Sequence, residues 1–323
     1  MSRKFKRCLI TGIAGSGGSY LAEYILDNVR FTKIFGIRRH KGYSDLLKQK
    51  YKKRIHLLKL DLKNFDKLKT IIKKIKPDLI FHLASNADVK ASFKDPLTIV
   101  KNNTEITLNL LEVIRKVKSK ALFVLCSTSE VYGNVKKNEI PIVETQKMNP
   151  ASPYAVSKAF QDMLAQVYYK AYGLKIIITR MFSYSNPRRV NLFQTSFADQ
   201  IAKIEKNKNQ NKLKHGNLKS IRSFIDINDA MSAYWQTAVN GKIGEIYNIG
   251  GSTTLSVKEV LDKLLNLSKV KIKKTIDKSL LRPIDVTLQI PSVKKFKKHT
   301  RWMPKVSFSD SIINLLNYRR NLK

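Results

Sequence analysis

The segment LITGIAGSGGSYLAE at residues 9–23 decides how the rest of the sequence is interpreted. A short apolar run meets a glycine-rich turn, and a helical pattern of apolar residues follows at once. Gly12, Gly15 and Gly18 are spaced three residues apart, as TGxxGxxG. The first glycine permits a tight turn, the second lets the backbone approach a phosphate, and the third lets the helix pack closely on the strand. The segment therefore predicts a strand, a phosphate-binding turn and a helix.

The end of the second predicted strand indicates which dinucleotide this turn binds. The strand covers residues 33–37 and is followed directly by Arg38 and Arg39. At this position a carboxylate favours the ribose 2′-hydroxyl of NAD, whereas an arginine favours the 2′-phosphate of NADP. The sequence therefore favours NADP as the cofactor and leaves NAD possible.

Strand-like and helical segments alternate through the first half of the chain. Apolar strand-like runs occur at residues 55–60, 78–85 and 121–126, and helical patterns lie between them. Such alternation predicts an α/β fold, a Rossmann-type doubly wound parallel sheet with a smaller α/β substrate-binding domain. We place the NADP-binding domain at residues 1–180, with a returning segment near residues 220–250. Residues 181–323 then form mainly the smaller, substrate-binding domain.

Two segments of the first domain carry groups suited to acid–base chemistry. The strand-like run at residues 121–126 leads into Ser127-Thr128-Ser129-Glu130, and Tyr154 and Lys158 follow on a predicted helix. Residues four apart share one helix face, so the lysine lies beside the phenol. An ammonium group there favours the phenolate and lowers the tyrosine pKa toward neutrality, so the tyrosine can act as a base.

Together these motifs resemble the extended short-chain dehydrogenase/reductases that modify nucleotide sugars (the NAD-dependent epimerase/dehydratase family). Within that family, the segments at residues 11–23, 36–39, 127–130 and 186–189 resemble those of the GDP-mannose 4,6-dehydratases. The C-terminal half, including Gly244-Glu245-Ile246-Tyr247-Asn248, is more similar to the related GDP-4-keto-6-deoxy-mannose reductases. The resemblance implies a nucleotide-sugar dehydratase that acts on GDP-mannose through an internal hydride transfer.

The resemblance also implies a role for each motif residue. Tyr154 removes the proton of the sugar 4-hydroxyl, Lys158 supports it, and Thr128 hydrogen-bonds the 4-oxygen. Glu130 takes the C5 proton and helps to expel the C6 hydroxyl, although it could instead only cap the next helical turn. The implied cofactor-binding residues are Gly12, Gly15, Ser16, Gly17, Gly18, Arg38, Asp61, Leu62, Leu83, Ala84, Ser85, Tyr154 and Lys158. The implied substrate-binding residues are Ser183, Arg188, Asn191, Arg222, Arg282 and Asp285, with guanidinium groups on the diphosphate.

The sequence departs from the family pattern at a few of these positions. Relatives commonly have asparagine in place of Ser183, alanine in place of Ser85 and glycine in place of Ile106. These departures leave three enzyme activities open: the dehydratase, the reductase, and an epimerase that acts on another nucleotide sugar.

Composition limits the partners of the chain. Lys and Arg number 62 against 24 Asp and Glu, a formal net charge of +38. This excess is mostly lysine and is scattered, so we expect it to attract an anionic substrate and expect no specific nucleic acid. A polyanion-binding protein on the same fold is the non-enzyme alternative. We predict buried thiols at Cys8 and Cys126, no metal site, no membrane insertion and a cytoplasmic location. The resemblance implies a homodimer or homotetramer that pairs through the helix carrying Tyr154 and Lys158.

Overall fold

The computed structural model describes residues 2–39, 46, 49–207 and 211–322. Its largest element is a seven-stranded sheet in which each pair of neighbouring strands is parallel. From edge to edge, the strands are β10 (Ile246–Ile249), β6 (Ile176–Met181), β5 (Leu122–Thr128), β4 (Leu79–His82), β1 (Arg7–Thr11), β2 (Lys33–Arg38) and β3 (Ile55–Lys59). This order confirms the predicted Rossmann-type α/β fold.

Helices cover both faces of the large sheet. Successive strand residues point to opposite faces, so Cys8 and Ile10 enter one core while Leu9 enters the other. All three side chains are fully buried, which explains why the strands are continuous apolar runs. The first core is shared with α1 (Ser16–Asn28) and α8 (Ile227–Asn240). The second core is shared with α3 (Phe65–Ile75), α5 (Pro96–Lys116) and α6 (Pro153–Tyr172).

The glycine turn between β1 and α1 has the geometry that its sequence predicts. Gly12 has φ +71°, a conformation in which a side chain would be strained. A Cβ atom on Gly18 would lie 2.3 Å from the carbonyl oxygen of Gly12. Glycine is therefore required at both positions, one for the turn and one for the close approach of the helix.

A smaller unit lies beyond the carboxyl ends of the large sheet. Its sheet consists of β11 (Thr253–Ser256), β9 (Ile221–Asp226) and β13 (Leu288–Gln289), with β7 (Tyr184–Ser185) also paired to β9. The helices α7 (Phe193–Lys206), α9 (Val257–Asn266) and α11 (Phe308–Arg320) pack with it around a separate apolar core. Ser256 and Glu259 form a capping box at the start of α9.

The chain crosses between the two units more than once. β10 pairs with β6 in the large sheet, and Phe296 and Trp302 pack into the core shared with α1 and α8. The division of the chain at residue 180 remains a prediction about how the two units behave as domains.

The other elements of the described residues connect these layers. They are α2 (Gln49–Lys52), α4 (Val89–Lys94), β8 (Lys212–His215), β12 (Lys273–Ile276) and α10 (Lys294–Thr300). Among the described residues, no helix combines the length and the apolar character needed to cross a membrane. Cys8 and Cys126 are buried free thiols, as predicted.

Candidate active site

A cleft of about 590 Å³ lies between the carboxyl ends of the large sheet and the small unit. Parallel α/β sheets bind ligands at this edge, where the strand order reverses between β1 and β4. Most of the site residues expected from the sequence line this cleft: Gly12, Gly15, Ser16, Gly17, Gly18, Leu83, Ser85, Thr128, Glu130, Tyr154, Lys158, Ser183, Asn191, Arg222, Arg282 and Asp285. Arg38, Asp61, Leu62, Ala84 and Arg188 are not among its lining residues.

The glycine turn forms one wall of the cleft and fits a dinucleotide phosphate. Gly15 is the N-cap of α1, and no side chain caps that helix. The backbone N–H groups of the first turn therefore face the cleft with the favourable end of the helix dipole. A Cβ atom on Gly17 would lie 3.3 Å from Leu83, so glycine also keeps the space above the turn open.

Three of the other expected cofactor residues lie beside this turn, at the ends of β2 and β3. The Gly12 N–H donates to the Ile37 carbonyl at 3.1 Å, and the Leu60 N–H donates to the Arg38 carbonyl at 3.0 Å. These bonds place the glycine turn, Arg38 and the Asp61–Leu62 segment next to one another. The arrangement is consistent with an adenosine site next to the phosphate-binding turn.

Ala84 lies behind the turn rather than in the cleft. Its N–H donates to the Thr11 hydroxyl at 3.3 Å, and its Cα would be 2.8 Å from a Cβ atom on Gly12. Ala84 therefore supports the turn, while its neighbours Leu83 and Ser85 face the ligand space.

Tyr154 and Lys158 lie on the first turns of α6, and both are almost fully buried. The Lys158 ammonium donates to the Cys126 carbonyl at 2.8 Å, which fixes the lysine against the end of β5. Burial lowers the pKa of Lys158 to about 8. Lysine at this position therefore titrates close to neutral pH.

The expected lowering of the Tyr154 pKa is wrong for this structure. Burial raises the pKa of Tyr154 to about 12, because the phenolate loses its hydration. Arg189 is the largest opposing influence, Glu130 and Tyr184 raise the pKa further, and a hydrogen bond with Thr128 lowers it. The cation that lowers the pKa of Tyr154 most is thus Arg189, which is not among the site residues expected from the sequence.

A buried polar network holds α6 in place behind the two catalytic candidates. The Asn103 side chain donates to the Ser157 hydroxyl at 3.0 Å and to the Asn86 carbonyl at 3.1 Å. His82 bridges Thr11 and Thr107 at 2.8 and 2.9 Å, and burial lowers its pKa to about 3. The imidazole is therefore neutral, and it ties β1 to α5.

Glu130 lies in a short 3₁₀ helix at Ser129–Tyr132, directly after β5. The side chain that caps this helix belongs to Thr128, whose hydroxyl accepts from the Glu130 N–H at 3.3 Å. The Glu130 carboxylate itself lines the cleft and accepts a hydrogen bond from the Gln289 amide at 3.4 Å. Its side chain is therefore available to a ligand instead of capping the next turn.

The opposite wall of the cleft comes from the small unit. The Arg222 guanidinium donates to the carbonyls of Ile221 and Val286 at 3.0 and 2.6 Å, and burial lowers its pKa. The Asp285 carboxylate accepts from the Asn217 amide at 2.7 Å. Arg222 and Arg282 thus place two guanidinium groups in the same wall, which suits paired phosphate oxygens.

Arg188 has a different position from the one expected. Its guanidinium forms a buried ion pair with Glu23 at 2.9 Å, donates to the Ser19 hydroxyl, and lies 3.9 Å from the centre of the Tyr20 ring. These three contacts of the guanidinium are with α1, because that helix presents a carboxylate, a hydroxyl and an aromatic face to it. The assignment of Arg188 to the substrate diphosphate is therefore not supported by its position.

The next residue, Arg189, occupies the cleft instead. It donates to the Ala87 carbonyl and to the Asn191 side chain. Arg189, Asn217 and Gln289 are among the polar lining residues that sequence reasoning missed. The sequence shows two adjacent arginines, but only the packing of Arg188 against α1 shows that Arg189 is the one that lines the cleft.

The described residues contain no group of three or more His, Cys, Asp or Glu side chains that could hold a metal ion. The donors that face the cleft are instead backbone N–H groups, hydroxyls and cations. Such a site binds phosphates through hydrogen bonds and charge.

Comparison with known proteins identifies the family of this chain. A family model described as GDP-mannose 4,6 dehydratase matches residues 9–315. A GDP-mannose 4,6 dehydratase of Dictyostelium discoideum is 30% identical over 344 residues, covering 97% of this chain and 95% of that protein. A GDP-6-deoxy-D-mannose reductase of Pseudomonas aeruginosa is 27% identical over 242 residues, covering 75% of this chain and 80% of that protein.

A solved structure extends the similarity to a third activity. The UDP-glucuronic acid 4-epimerase of Bacillus cereus, in complex with UDP-glucuronic acid and NAD, superposes with a TM-score of 0.86 at 27% identity. The match covers 98% of this chain and all of that one (100%). With the family model matching almost its full length, this chain belongs to the GDP-mannose 4,6-dehydratase family of nucleotide-sugar-modifying extended short-chain dehydrogenase/reductases.

Proposed function

We propose that the protein is a nucleotide-sugar 4,6-dehydratase that converts GDP-mannose to GDP-4-keto-6-deoxy-mannose. The observation that carries this proposal is the presence of Thr128, Glu130, Tyr154 and Lys158 in one cleft with the glycine turn. A simple reductase needs a hydroxyl, a phenol and a lysine. A carboxylate next to them is what an elimination requires.

Each of the four side chains has a distinct task in this proposal. Tyr154 takes the proton of the sugar 4-hydroxyl, and Thr128 hydrogen-bonds the same oxygen. Lys158 and Arg189 place positive charge where the buried phenol must become a phenolate. Bound NADP supplies reversible two-electron redox chemistry. Glu130 removes the C5 proton, which the 4-ketone acidifies, and returns a proton to the departing C6 hydroxyl so that water leaves.

The substrate-binding side of the proposal uses the small unit. Arg222 and Arg282 bind the GDP diphosphate, and Asp285 reaches the ribose, with Ser183 and Asn191 on the sugar side of the cleft. These five residues all line the cleft, and two of them supply the positive charge that a diphosphate needs.

The cofactor preference follows from the end of β2. Arg38 is the first residue after the Ile37 carbonyl that binds the glycine turn. A guanidinium at this position suits a 2′-phosphate, so we assign NADP to the site and retain NAD as the weaker cofactor.

We also propose that the protein is a homodimer or homotetramer located in the cytoplasm. The outer face of α6 exposes apolar side chains: Val156 is 47% exposed, Met163 54% and Val167 52%. An apolar stripe on one helix is stabilised when a second copy covers it. Sedimentation velocity of the wild type and of Met163→Glu tests this proposal, since a charge in the stripe should favour the monomer.

The product test separates the enzyme activities. With GDP-mannose and a catalytic amount of NADP⁺, we expect a 4-keto-6-deoxy sugar nucleotide, detected by its ultraviolet absorbance in alkali. A requirement for stoichiometric NADPH and the keto sugar would instead assign the reductase, which the Pseudomonas aeruginosa relative favours. A product changed only in configuration would assign an epimerase, and salt-sensitive nucleic-acid binding with no turnover would assign a polyanion-binding protein.

Glu130→Gln tests the elimination step itself. We expect the variant to bind NADP normally and to lose dehydration, because the amide cannot accept the C5 proton. Titration of NADP by fluorescence quenching provides the binding control. Dehydration at the wild-type rate would remove Glu130 from the mechanism.

A further inference from the structure

Gln289 lies at the contact between the two units of the molecule. It is 1% exposed, and it ends the two-residue strand β13 in the small sheet. Its side-chain oxygen accepts a hydrogen bond from the Ser129 hydroxyl at 3.0 Å, and its side-chain N–H₂ donates to the Glu130 carboxylate at 3.4 Å. Both polar ends of this buried amide are thus directed at the segment that follows β5.

The Glu130 carboxylate determines which end of the amide faces it, because an ionised carboxylate only accepts hydrogen bonds, whereas the Ser129 hydroxyl can donate or accept. If the amide were reversed, its oxygen would face the carboxylate, and two acceptors would repel each other. With the oxygen bound to Ser129, the N–H₂ group is the one that remains for Glu130. The adjacent residues Ser129 and Glu130 therefore fix Gln289 in one orientation.

The backbone on either side of Gln289 is also fixed. The Ile221 N–H donates to the Thr287 carbonyl at 2.7 Å, and the Ile142 N–H donates to the Ile290 carbonyl at 2.8 Å. The Gln289 side chain is therefore held both through its backbone and through its amide group. Because it has already lost its rotational freedom, it can orient another group without a further loss of entropy.

We propose that Gln289 is a positioning residue that orients the Glu130 carboxylate for removal of the substrate proton. This inference rests on the proposed dehydratase function. Glu130 follows a strand end on a single short turn, so its own backbone leaves the carboxylate free to rotate. The amide N–H of Gln289 restricts that rotation and presents the other carboxylate oxygen to the cleft.

The same strand connects Glu130 to the substrate-binding wall. Gln289 is paired in register with Arg222, whose guanidinium binds the Val286 carbonyl at 2.6 Å. Asp285, three residues before Leu288, lies in the same wall. The segment 285–289 therefore carries substrate-binding groups at one end and the group that orients Glu130 at the other.

The test uses two substitutions at this position in the full-length protein. Gln289→Leu removes both hydrogen bonds at similar size. Gln289→Glu keeps the shape and the acceptor for Ser129 and loses the N–H₂ donor. In a rapid-mixing experiment with GDP-mannose and the NADP⁺ form, we follow the near-ultraviolet absorbance of the reduced nicotinamide. Its rise reports oxidation at C4, and its decay reports elimination together with the reduction that follows it.

At a pH at which the carboxyl introduced by Gln289→Glu is ionised, we expect both variants to keep the rate of the rise and to slow the decay by roughly 10- to 100-fold, the effect of losing one hydrogen bond to a charged group. KM for GDP-mannose should change less than kcat, because the substrate groups remain in place. A slowing of rise and decay together, with a lower unfolding temperature, would mean that Gln289 is only structural and would overturn the proposal.

The pH dependence gives a second, independent readout. As the pH falls, the carboxyl of Gln289→Glu gains a proton and can again donate to Glu130, so its decay should recover relative to the wild type. Gln289→Leu should show no such recovery. Among the described residues, Tyr154 and Arg222 interact electrostatically with Glu130, and both are common to the two variants. Identical pH profiles for the two variants would contradict the proposal.

The wild-type control separates this inference from the proposed function. If the wild type gives no dehydrated product, the dehydratase assignment fails, whatever the variants do. If the wild type dehydrates GDP-mannose and both variants match its decay, only the role of Gln289 fails.

Discussion

The two walls of the cleft are built in different ways. The cofactor wall consists of a contiguous turn at residues 12–18 and one helix that carries Tyr154 and Lys158. The substrate wall is assembled across long sequence separations: Ser129 and Glu130 meet Gln289, 160 and 159 residues away, and Arg222 meets Val286, 64 residues away. The first wall is encoded locally, whereas the second exists only once the small unit has folded against the large one.

The adjacent arginines of the 186–189 segment show what this difference means. Arg188 is buried against α1 of the large unit and supports the fold. Arg189 lies in the cleft and acts on Tyr154. A one-residue step along the chain thus separates a structural arginine from one that faces the ligand, and no local pattern distinguishes the two.

The largest expected effect is the loss of C4 oxidation when the Tyr154 hydroxyl is removed from the cofactor wall. Tyr154→Phe should lower the rate of C4 oxidation by roughly 100- to 10,000-fold, the range for losing a general base. Tyr169→Phe, on the exposed side of the same helix, is the matched control and should keep the wild-type rate. Single-turnover absorbance of the reduced nicotinamide measures both. A Tyr154→Phe variant as fast as the control would exclude the phenol as the base.

The next effect separates the two arginines. Arg188→Met should lower the free energy of unfolding by about 3–5 kcal/mol, because it removes the buried ion pair with Glu23. Arg189→Met should change the free energy of unfolding by less than about 1 kcal/mol and should instead slow C4 oxidation. Urea denaturation and single-turnover rates measure the two properties. Equal losses of stability would contradict the distinction drawn between these residues.

A smaller effect tests the cofactor wall at its adenosine end. Arg38→Ala should weaken NADP binding by roughly tenfold or more and leave NAD binding nearly unchanged, since only NADP carries the 2′-phosphate. Fluorescence titration of each cofactor provides the measurement. Equal weakening for both cofactors would show that Arg38 supports the turn without selecting the phosphate.

The smallest effect is a pH dependence of stability due to Lys158. Its folded pKa of about 8 lies below the ordinary lysine pKa of 10.5. Between these values the unfolded chain binds more protons, so the free energy of unfolding rises with pH, by up to about 1.4 kcal/mol per pH unit. Lys158→Met should lack this rise. Denaturation of both proteins at several pH values measures the difference, and parallel curves would contradict it. The opposing contribution of Tyr154 at still higher pH is common to both and cancels.

The sequence by itself determined the cofactor wall and the fold. The glycine spacing fixes a turn, because only glycine tolerates φ +71° at Gly12 and the 2.3 Å approach at Gly18. The i, i+4 spacing of Tyr154 and Lys158 fixes their common face, because α-helical geometry is local. The alternating apolar runs fixed the parallel sheet for the same reason.

Only the tertiary structure decided the direction of the Tyr154 pKa shift and the hydrogen-bond partners of Arg188 and Gln289. The pKa of Tyr154 is raised because burial outweighs its neighbours, and burial depends on the whole fold. Arg188 turns toward Glu23 because α1 lies beside it, and Gln289 reaches Glu130 because β13 pairs with β9. Contacts between residues more than 150 positions apart carry no local signal, so the orientation of the Glu130 carboxylate is a property of the assembled fold.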